Sequence, residues 1–403
     1  MPMIKPIALV AAVSFASTAL LAAQDYRREA IRILRGVPLI DGHNDIPDAL
    51  RDRPGGDSVN LAVSQPTLMT DITRLRSGQV GGQFWAAYVP VSTMHEGVHP
   101  AVYALEQIDF IARLCAKYPA TFATARTAAD VERNFKASRI SCLIGIEGGH
   151  AIENSLGALR TFAELGVRYM TLTHWQTLDW ADAATDSARH GGLTPFGEQV
   201  VLEMNRLGML VDLSHVSDGT MIDALRVTRA PVIYSHSSAR AIARHVRNVP
   251  DSILRRIPAN GGLVMVNFNP PFVSEARRVH DARRDSALAA MRAAGVDSLA
   301  RRDSLRAWNG RAPAVTMQQV ADHVDHIRKI AGVDHVGLGS DFDGISSVPV
   351  GLEDVGKFPD LIAELLRRGW TEADVRKLAG LNVLRVLREA ERVASRQSSS
   401  TAP

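Results

Sequence analysis

The chain has 403 residues, of which 46% are hydrophobic and 22% are charged, as in a globular protein with a large core. The formal net charge is +3, from 46 basic and 43 acidic residues. This balance, with acidic residues interleaved among the arginines, argues against a nucleic-acid-binding protein. The length would allow two or three domains, although a (β/α) barrel often reaches this size as one domain.

The first 23 residues have the pattern of a secretory signal peptide. Lys5 precedes an apolar run of small residues over Ile7–Ala23, and a polar segment follows abruptly. We predict cleavage after Ala23 and an exported protein, periplasmic or extracellular. Because Leu21 stands where a small residue is preferred, an uncleaved membrane anchor is the alternative. Residues 394–403 form a polar tail, so no hydrophobic C-terminal signal for a lipid anchor is expected.

The sequence contains two cysteines, Cys115 in a predicted helix and Cys142 in a predicted strand. Neither has the spacing of a metal site. In an exported protein a disulfide between them is one alternative, but the sequence does not fix their geometry. We expect two buried free thiols.

Short apolar segments alternate with helical patterns along the chain, and most of the segments are apolar on both faces. This is typical of a parallel sheet covered by helices, and it predicts a closed (β/α)8 barrel, a TIM barrel, over residues 24–393. The predicted strands lie within Val37–Pro47, Gly81–Pro90, Ser141–Gly149, Arg168–His174, Met209–His215, Pro231–His236, Gly262–Asn267 and His335–Asp341. The predicted helices are Arg27–Arg35, Val102–Tyr118, Leu156–Leu165, Pro195–Leu207, Gly219–Val227, Leu361–Arg368 and Glu372–Val393.

One stretch, at about residues 271–314, interrupts this alternation. It is polar and prone to form helices, so we predict a helical excursion from the seventh unit of the barrel. A lid, a dimer contact and a solvated decoration are its alternative roles.

Ionisable residues recur at the ends of six of the eight predicted strands, which is the functional face of such a barrel. In a strand, side chains two residues apart point to the same side, so one strand can present an imidazole and a carboxylate together. Structural hydrogen bonding is the alternative role for each histidine taken singly. The residues are His43, Asp45, Glu147, His174, His215, His236 and Asp341.

This set is larger than the three protein ligands of a single catalytic zinc. A two-metal site with a bridging carboxylate fits the count better. Glu147 is the natural bridge, because Gly148 and Gly149 allow the backbone and the metals to approach closely.

Eight short motifs stand in order along the chain, most of them around these residues. They are D-G-H-N-D at Asp41–Asp45, G-G-Q-F-W at Gly81–Trp85, G-I-E-G-G-H at Gly145–His150, T-L-T-H at Thr171–His174, D-L-S-H at Asp212–His215, S-H-S-S-A at Ser235–Ala239, R-N-V-P-D at Arg247–Asp251 and G-S-D-F-D-G at Gly339–Gly344. In these motifs the chain resembles the membrane (renal-type) dipeptidases, the M19 metallopeptidase family of the amidohydrolase superfamily. The resemblance extends from Arg35 to about Leu387.

The resemblance implies a TIM barrel of the metal-dependent hydrolase type with two zinc ions per chain. Glu147 would bridge the two ions. His43 and Asp45 would hold one zinc, and His215 and His236 would hold the other.

Three further roles follow from the resemblance. Asp341 would lie beside the first zinc and carry a proton from the bridging water to the leaving amine. His174 would stabilise the oxyanion of the tetrahedral intermediate. Arg247 would pair with the free carboxylate of the substrate, for which its forked guanidinium is well suited.

The implied activity is hydrolysis of the peptide bond of small dipeptides by a metal-bridging hydroxide. It would extend to dipeptides with a C-terminal D-residue and to some β-lactams, and the family implies a homodimer. One alternative is a related amidohydrolase that acts on a non-peptide amide or an N-acyl amino acid. Another is a non-catalytic binding protein on the same scaffold.

The chain departs from the family pattern in two ways that concern substrate preference. The excursion at 271–314 is longer than we expect from the animal enzymes. Trp175-Gln176 follows His174, where those enzymes carry a cysteine used in a disulfide.

Overall fold

A computed structural model of the chain describes residues 24–400, apart from 52, 54 and 96. The predicted signal peptide, residues 1–23, and the last three residues of the predicted tail lie outside the described residues. Within the described part there are nine strands, and every pairing between them is parallel. They are β1 Leu39–Asn44, β2 Val80–Tyr88, β3 Phe122–Thr124, β4 Ile140–Glu147, β5 Val167–Thr171, β6 Leu210–Asp212, β7 Ile233–Tyr234, β8 Leu263–Val266 and β9 Val336–Leu338.

Eight of these strands form a closed ring in the order β1-β2-β4-β5-β6-β7-β8-β9. The ring closes where Asp41 of β1 pairs with Leu338 of β9, and β2 pairs with β4 over the whole of Gly82–Tyr88. The predicted (β/α)8 barrel is therefore confirmed. The short strand β3 pairs with the beginning of β4 outside the ring, and the sequence did not predict it.

Side chains from successive strands fill the barrel interior, including Ile40, Phe84, Leu143 and Tyr169. The C-terminal helix Asn382–Ser400 packs against this cluster through apolar residues of its first turns. Leu210, Ile233 and Leu263 belong to the same cluster, and they are the first residues of β6, β7 and β8. The helix therefore covers the N-terminal end of the barrel. The opposite end remains open to ligands.

The helices surround the barrel and separate consecutive strands. A first helix spans residues 24–34. The others are Ile46–Arg51, Ile72–Ser77, Pro100–Lys117, Ala128–Lys136, Leu156–Leu165, Pro195–Leu207, Asp218–Val227, Asp251–Leu254, Ile257–Asn260, Pro270–Val273, Glu275–Ala293, Ser298–Asn309, Met317–Ala331, Phe358–Arg367, Glu372–Arg376 and Asn382–Ser400. Among the helices of the described residues, none is both long and apolar enough to span a bilayer.

Some helices differ from the prediction. Helices Ile46–Arg51 and Ala128–Lys136 were not predicted. The second begins with a capping box at Thr127, in which the side chain accepts from the N–H of Asp130. The predicted last helix is two helices joined by a π-helical turn, and it continues to Ser400 through most of the predicted tail.

The predicted excursion contains two helices, Glu275–Ala293 and Ser298–Asn309, that are polar and mostly exposed. Asp281 is the one buried residue of the first helix, and Arg277 donates to it at 2.9 Å. Arg277 also donates to Ser347 Oγ at 3.2 Å, in the loop after β9. This contact fastens the excursion to the C-terminal side of the barrel.

The expectation of two free thiols is wrong, because Cys115 and Cys142 form a disulfide with a Cα–Cα distance of 6.6 Å. Helix Pro100–Lys117 packs against β4 and brings the two residues within reach of each other. The sequence could not reveal this contact, because 27 positions separate the cysteines.

Candidate active site

The predicted site residues converge at the C-terminal end of the barrel, where the loops after the strands meet. His43 lies in β1, and Glu147 is the last residue of β4. The strands after β4 are shorter than predicted, so the other ligand candidates stand on the loops two or three residues beyond the strand ends. These residues are His174 after β5, His215 after β6, His236 after β7 and Asp341 after β9.

Glu147 lies at the centre of the cluster, and its two carboxylate oxygens face different histidines. Oε1 is 2.9 Å from His215 Nε2 and 3.3 Å from His236 Nε2. Oε2 is 3.6 Å from His43 Nε2, on the other side. His174 Nε2 also lies 3.6 Å from Oε1. The carboxylate therefore stands between two groups of donor atoms.

The first group consists of His43, Asp45 and Asp341, whose donor atoms lie within 4.8 Å of one another. His43 Nε2 is 3.3 Å from Asp45 Oδ2, and it has no hydrogen-bond partner although it is buried. On the other ring edge, His43 Nδ1 is 2.8 Å from the hydroxyl of Tyr169, which donates to the carbonyl of Gly42. The hydroxyl must then accept from Nδ1–H, which leaves the lone pair of Nε2 directed at the cluster.

The second group is centred on His215 and His236, whose Nε2 atoms are 3.0 Å apart. Ser235 Oγ lies 2.7 Å from His236 Nδ1 and donates to Asp212 Oδ2 at 2.5 Å. This chain fixes the proton of His236 on Nδ1 and leaves the lone pair of Nε2 available. Burial lowers the pKa of both histidines well below the usual value, so both imidazoles are neutral.

Imidazole nitrogens and carboxylate oxygens in two groups around one shared carboxylate fit a pair of divalent metal ions. Three overlapping triads of donor atoms can be formed from the cluster, and Glu147 belongs to two of them. The Nε2 atom of His43 supports the same assignment, because it is buried without a hydrogen-bond partner. Burying a polar atom in this way costs free energy unless a ligand such as a metal ion binds it.

The carboxylates of the cluster titrate differently from one another. Burial raises the pKa of Glu147, but the electrostatic influence of the surrounding imidazoles, first His43 and then His174, outweighs it and holds the pKa well below its usual range. Burial, and then the negative charge of Asp45, raise the pKa of Asp341 to about 8. Glu147 is therefore ionised, whereas Asp341 can hold a proton near neutral pH.

The backbone is strained at two of these loops. His215 has a φ of 72° and Asp341 a φ of 65°, in the left-handed region that few residues other than glycine adopt. Such conformations cost on the order of 1–3 kcal/mol each and are concentrated at functional sites. Close by, a Cβ atom on Gly344 would come within 2.2 Å of Asp45 Oδ2, so this position needs glycine.

A cavity of about 180 Å³ opens over these groups. Arg247 lines it, although only 1% of the residue is exposed. Its guanidinium donates to Ser237 Oγ at 3.3 Å and to the carbonyl of His236 at 3.4 Å, and its Nε has no partner. No carboxylate of the described residues lies within ion-pairing distance of it, and burial lowers its pKa to about 10. It is a buried cation that faces an open cavity.

Several residues that line the cavity were not predicted from the sequence. Tyr88 is the last residue of β2, and that position is the signal that could have identified it. Asn269 and Phe272 follow β8, and Asp48 lies on the helix after β1. Trp175, identified in the sequence as a departure from the family pattern, is 41% exposed at the cavity and packs against the ring of His215.

The sequence model of the membrane dipeptidase family, peptidase family M19, matches residues 27–401. Among solved structures, the probable dipeptidase PvdM from Pseudomonas aeruginosa superposes with a TM-score of 0.81 at 23% identity, over 92% of this chain and 100% of that one. A dipeptidase of family M19 has a TM-score of 0.71 at 28% identity, over 88% of this chain and 98% of that one.

A metallopeptidase from Rhodobacter sphaeroides, solved with a phosphinate mimic of the dipeptide L-Ala-D-Ala, has a TM-score of 0.71 at 26% identity. The match covers 88% of this chain and 99% of that one. The match to the family spans almost the whole described chain, and the barrel and the donor clusters agree with a metal-dependent hydrolase. The chain is a metallopeptidase that belongs to family M19, the membrane dipeptidases.

Proposed function

We propose that the chain is an exported, zinc-dependent dipeptidase that hydrolyses the single peptide bond of small dipeptides. The observation that carries the proposal is the juxtaposition of Glu147 and Arg247 in one cavity. Glu147 stands between two groups of metal-type donors, and Arg247 is a buried cation with no carboxylate partner among the described residues. The signal-peptide pattern supports export, and the family supports a homodimer.

The proposed ligands of one zinc are His43, Asp45 and Glu147, and those of the other are His215, His236 and Glu147. When bound, the two ions would act as Lewis acids and lower the pKa of a coordinated water. Asp341 completes the first group of donor atoms, with His43 and Asp45.

Arg247 would bind the C-terminal carboxylate of the dipeptide. Its existing hydrogen bonds to Ser237 and to a backbone carbonyl are long, so the guanidinium can still receive a carboxylate. A buried cation gains strongly from such a partner, because water compensates its charge poorly.

Asp341 would transfer the proton from the attacking water to the leaving amine. Its pKa of about 8 allows it to hold and release a proton near neutral pH. Asn267 Nδ2 donates to its Oδ2 at 2.8 Å and fixes the orientation of the carboxyl group.

His174 would donate a hydrogen bond to the carbonyl oxygen as negative charge develops on it. Burial lowers the pKa of His174 to about 4, so the imidazole is neutral and keeps one N–H to donate.

The Rhodobacter sphaeroides metallopeptidase was solved with a mimic of L-Ala-D-Ala. We include dipeptides with a C-terminal D-residue among the proposed substrates on that basis.

The role of Arg247 gives a direct test. We compare hydrolysis of L-Ala-L-Ala and L-Ala-D-Ala with that of the C-terminal amide of L-Ala-L-Ala, which lacks the carboxylate. The wild type should cleave the dipeptides and discriminate against the amide. Arg247→Ala should mainly raise KM for the dipeptides and remove most of this discrimination.

An unchanged KM in Arg247→Ala would remove Arg247 from the substrate site. Equal cleavage of the amide by the wild type would contradict the dipeptidase assignment and indicate an amidohydrolase that does not require the carboxylate.

A further inference from the structure

The proposed mechanism leaves one carboxylate of the cavity without a role. Asp48 lies on helix Ile46–Arg51, which follows β1 almost directly, and its side chain lines the cavity. Gln107 Nε2 donates to Asp48 Oδ1 at 3.1 Å, and Gln107 is itself fully buried on helix Pro100–Lys117. A buried partner therefore fixes Asp48 at the cavity wall, which distinguishes it from a mobile surface carboxylate.

Asp48 is not part of the metal cluster. The donor triads of the described residues are drawn from His43, Asp45, Glu147, the three loop histidines and Asp341, and none of them includes Asp48. The acid is three residues beyond Asp45, so the helix carries it away from the ligand position and along the cavity wall. Its carboxylate lines the cavity that the substrate would enter.

Asp48 and Arg247 stand on different sides of the barrel mouth. Asp48 follows β1, next to β2 and its terminal residue Tyr88, whereas Arg247 is on the loop after β7. Around the ring β7 is three strands from β1, which is almost the opposite side of an eight-stranded barrel. The metal cluster lies between them, so the cavity has a carboxylate on one side, the reaction centre in the middle and a guanidinium on the other.

The pKa shifts of two residues that line the cavity agree with this placement of Asp48 and Arg247. Burial, and then the negative charges of Glu147 and Asp48, raise the pKa of Tyr88. Burial, and then the positive charge of Arg247, lower the pKa of His215. The two charges therefore act on different walls of the same cavity.

We propose that Asp48 binds the α-ammonium group of the first residue of the substrate and restricts the enzyme to substrates with a free amino terminus. The inference rests on the proposed function, since it needs Arg247 to hold the carboxylate end. A dipeptide is a zwitterion whose two charges flank the scissile amide, in the same order as the groups of the cavity. The volume of about 180 Å³ also lies below the range of roughly 300–1,000 Å³ for larger ligands.

An N-acyl amino acid has the same amide and carboxylate but no ammonium group. It would place an uncharged group where a dipeptide places its ammonium group beside Asp48, so the ionic contact with that carboxylate would be lost. A site built for a charged group rejects the analogue that lacks it, because its own polar atoms are then left uncompensated. Asp48 is in this account the residue that separates a dipeptidase from an N-acyl amino acid hydrolase on the same metal centre.

The test compares L-alanyl-L-alanine with N-propionyl-L-alanine, which is the same molecule without the ammonium group. The wild-type enzyme and Asp48→Asn, both loaded with zinc, are assayed for kcat/KM on each. Where N-propionyl-alanine turns over too slowly, its inhibition constant against alanyl-alanine replaces kcat/KM. Asp109→Asn is the matched control, because it removes a carboxylate of helix Pro100–Lys117 that is 65% exposed and outside the cavity.

Asp48→Asn should lower kcat/KM for alanyl-alanine by roughly 10- to 100-fold, as expected for the loss of a charged hydrogen bond. It should leave the value for N-propionyl-alanine unchanged or raise it, because that ligand never paired with Asp48 and the neutral amide removes the charge that disfavours it. Asp48→Glu, which keeps the charge, should recover part of the loss. Asp109→Asn should match the wild type on both substrates.

An equal loss on both compounds would overturn the inference, since it would indicate a structural role for Asp48. Unchanged discrimination in Asp48→Asn would overturn it as well. Both results would leave metal-dependent dipeptide hydrolysis intact. A zinc-loaded wild type that cleaves neither compound nor any other dipeptide would instead refute the proposed function, and the role of Asp48 with it.

Discussion

At the scale of single residues, two aspartates position the loops that carry the candidate ligands. Asp41 accepts hydrogen bonds from the N–H and the hydroxyl of Ser340, at 2.7 and 2.6 Å. Asp212 accepts in the same way from Ser235, at 2.9 and 2.5 Å. Each aspartate is buried within a strand and fastens the loop that follows another strand. The loops that carry Asp341 and His236 are therefore held by carboxylates that do not themselves face the cavity.

These aspartates show what sequence can and cannot reveal about a site. Glu147 and the histidines could be predicted because each stands near the C-terminal end of a predicted apolar strand. Asp41 and Asp212 belong to the same short motifs, but only the structure distinguishes a ligand from the residue that holds it. Arg247 resembles a surface arginine in sequence, and only the family resemblance indicated its role. Its burial results from contacts with loops distant in the chain, such as the loop of Phe272.

A buried histidine outside the metal cluster, His323, should make stability depend on pH. Its Nδ1 accepts from the N–H of Ala239 at 3.0 Å, and its Nε2 donates to the carbonyl of Val273 at 2.9 Å. Burial lowers its pKa to about 4. A second proton, on Nδ1, would in addition face the N–H of Ala239. Below the unfolded pKa of 6.5 the unfolded chain binds the proton that the folded chain refuses, so stability is lost as the pH falls.

Between pH 7 and pH 5 this histidine should lower the free energy of unfolding by about 2 kcal/mol. Denaturant unfolding of the wild type and of His323→Asn at both pH values measures the contribution. The variant should be less stable at pH 7 and should lose about 2 kcal/mol less between the two pH values. An equal pH dependence in both proteins would show that His323 does not titrate as described.

At the scale of elements, the barrel strands were predictable because they are buried on both faces and therefore apolar throughout. Their C-terminal ends were predicted too far along the chain after β4. The apolar residues continue into loops that are themselves buried, as at Leu172 and Leu213, so hydrophobicity did not mark where the ladder stops. The short strand β3 and helix Ala128–Lys136 were missed because their apolar patterns are brief.

The disulfide joins two of these elements and should contribute measurably to stability. Cys115 on helix Pro100–Lys117 is bonded to Cys142 on β4, the strand that ends in Glu147. For the sequence separation of 27, the chain-entropy model gives about 3–4 kcal/mol, because the bond removes conformations from the unfolded chain. The double variant Cys115→Ser, Cys142→Ser should lose that amount of unfolding free energy in denaturant titrations.

The same variant should keep its zinc-dependent activity at low temperature, because neither sulfur belongs to the cavity. A control with the wild type under reducing conditions separates loss of the bond from the effect of the serines. Stability that is unchanged in both samples would contradict the contribution assigned to this bond.

At the scale of the whole molecule, the fold separates stability from chemistry along the barrel axis. The C-terminal helix Asn382–Ser400 packs on the interior cluster at the N-terminal end. Polar and ionisable groups collect at the other end, where the strained loops of His215 and Asp341 meet. This arrangement places a packed apolar core beneath a site whose charges must be held close together. The excursion is fastened to the same end through Arg277 and Ser347.

The measurement that tests the account most directly is the zinc content of the purified chain, taken together with hydrolysis of L-Ala-L-Ala and L-Ala-D-Ala before and after chelation. We predict about two zinc ions per chain and cleavage that is lost on chelation and restored by zinc. In Glu147→Gln, the bridging carboxylate is replaced by an amide that binds metal weakly. This variant should therefore bind less zinc and show no metal-dependent turnover.

Two zinc ions without cleavage of any dipeptide would keep the metal centre and contradict the dipeptidase activity. No bound metal, even after zinc is supplied, would contradict the account of the site as a whole.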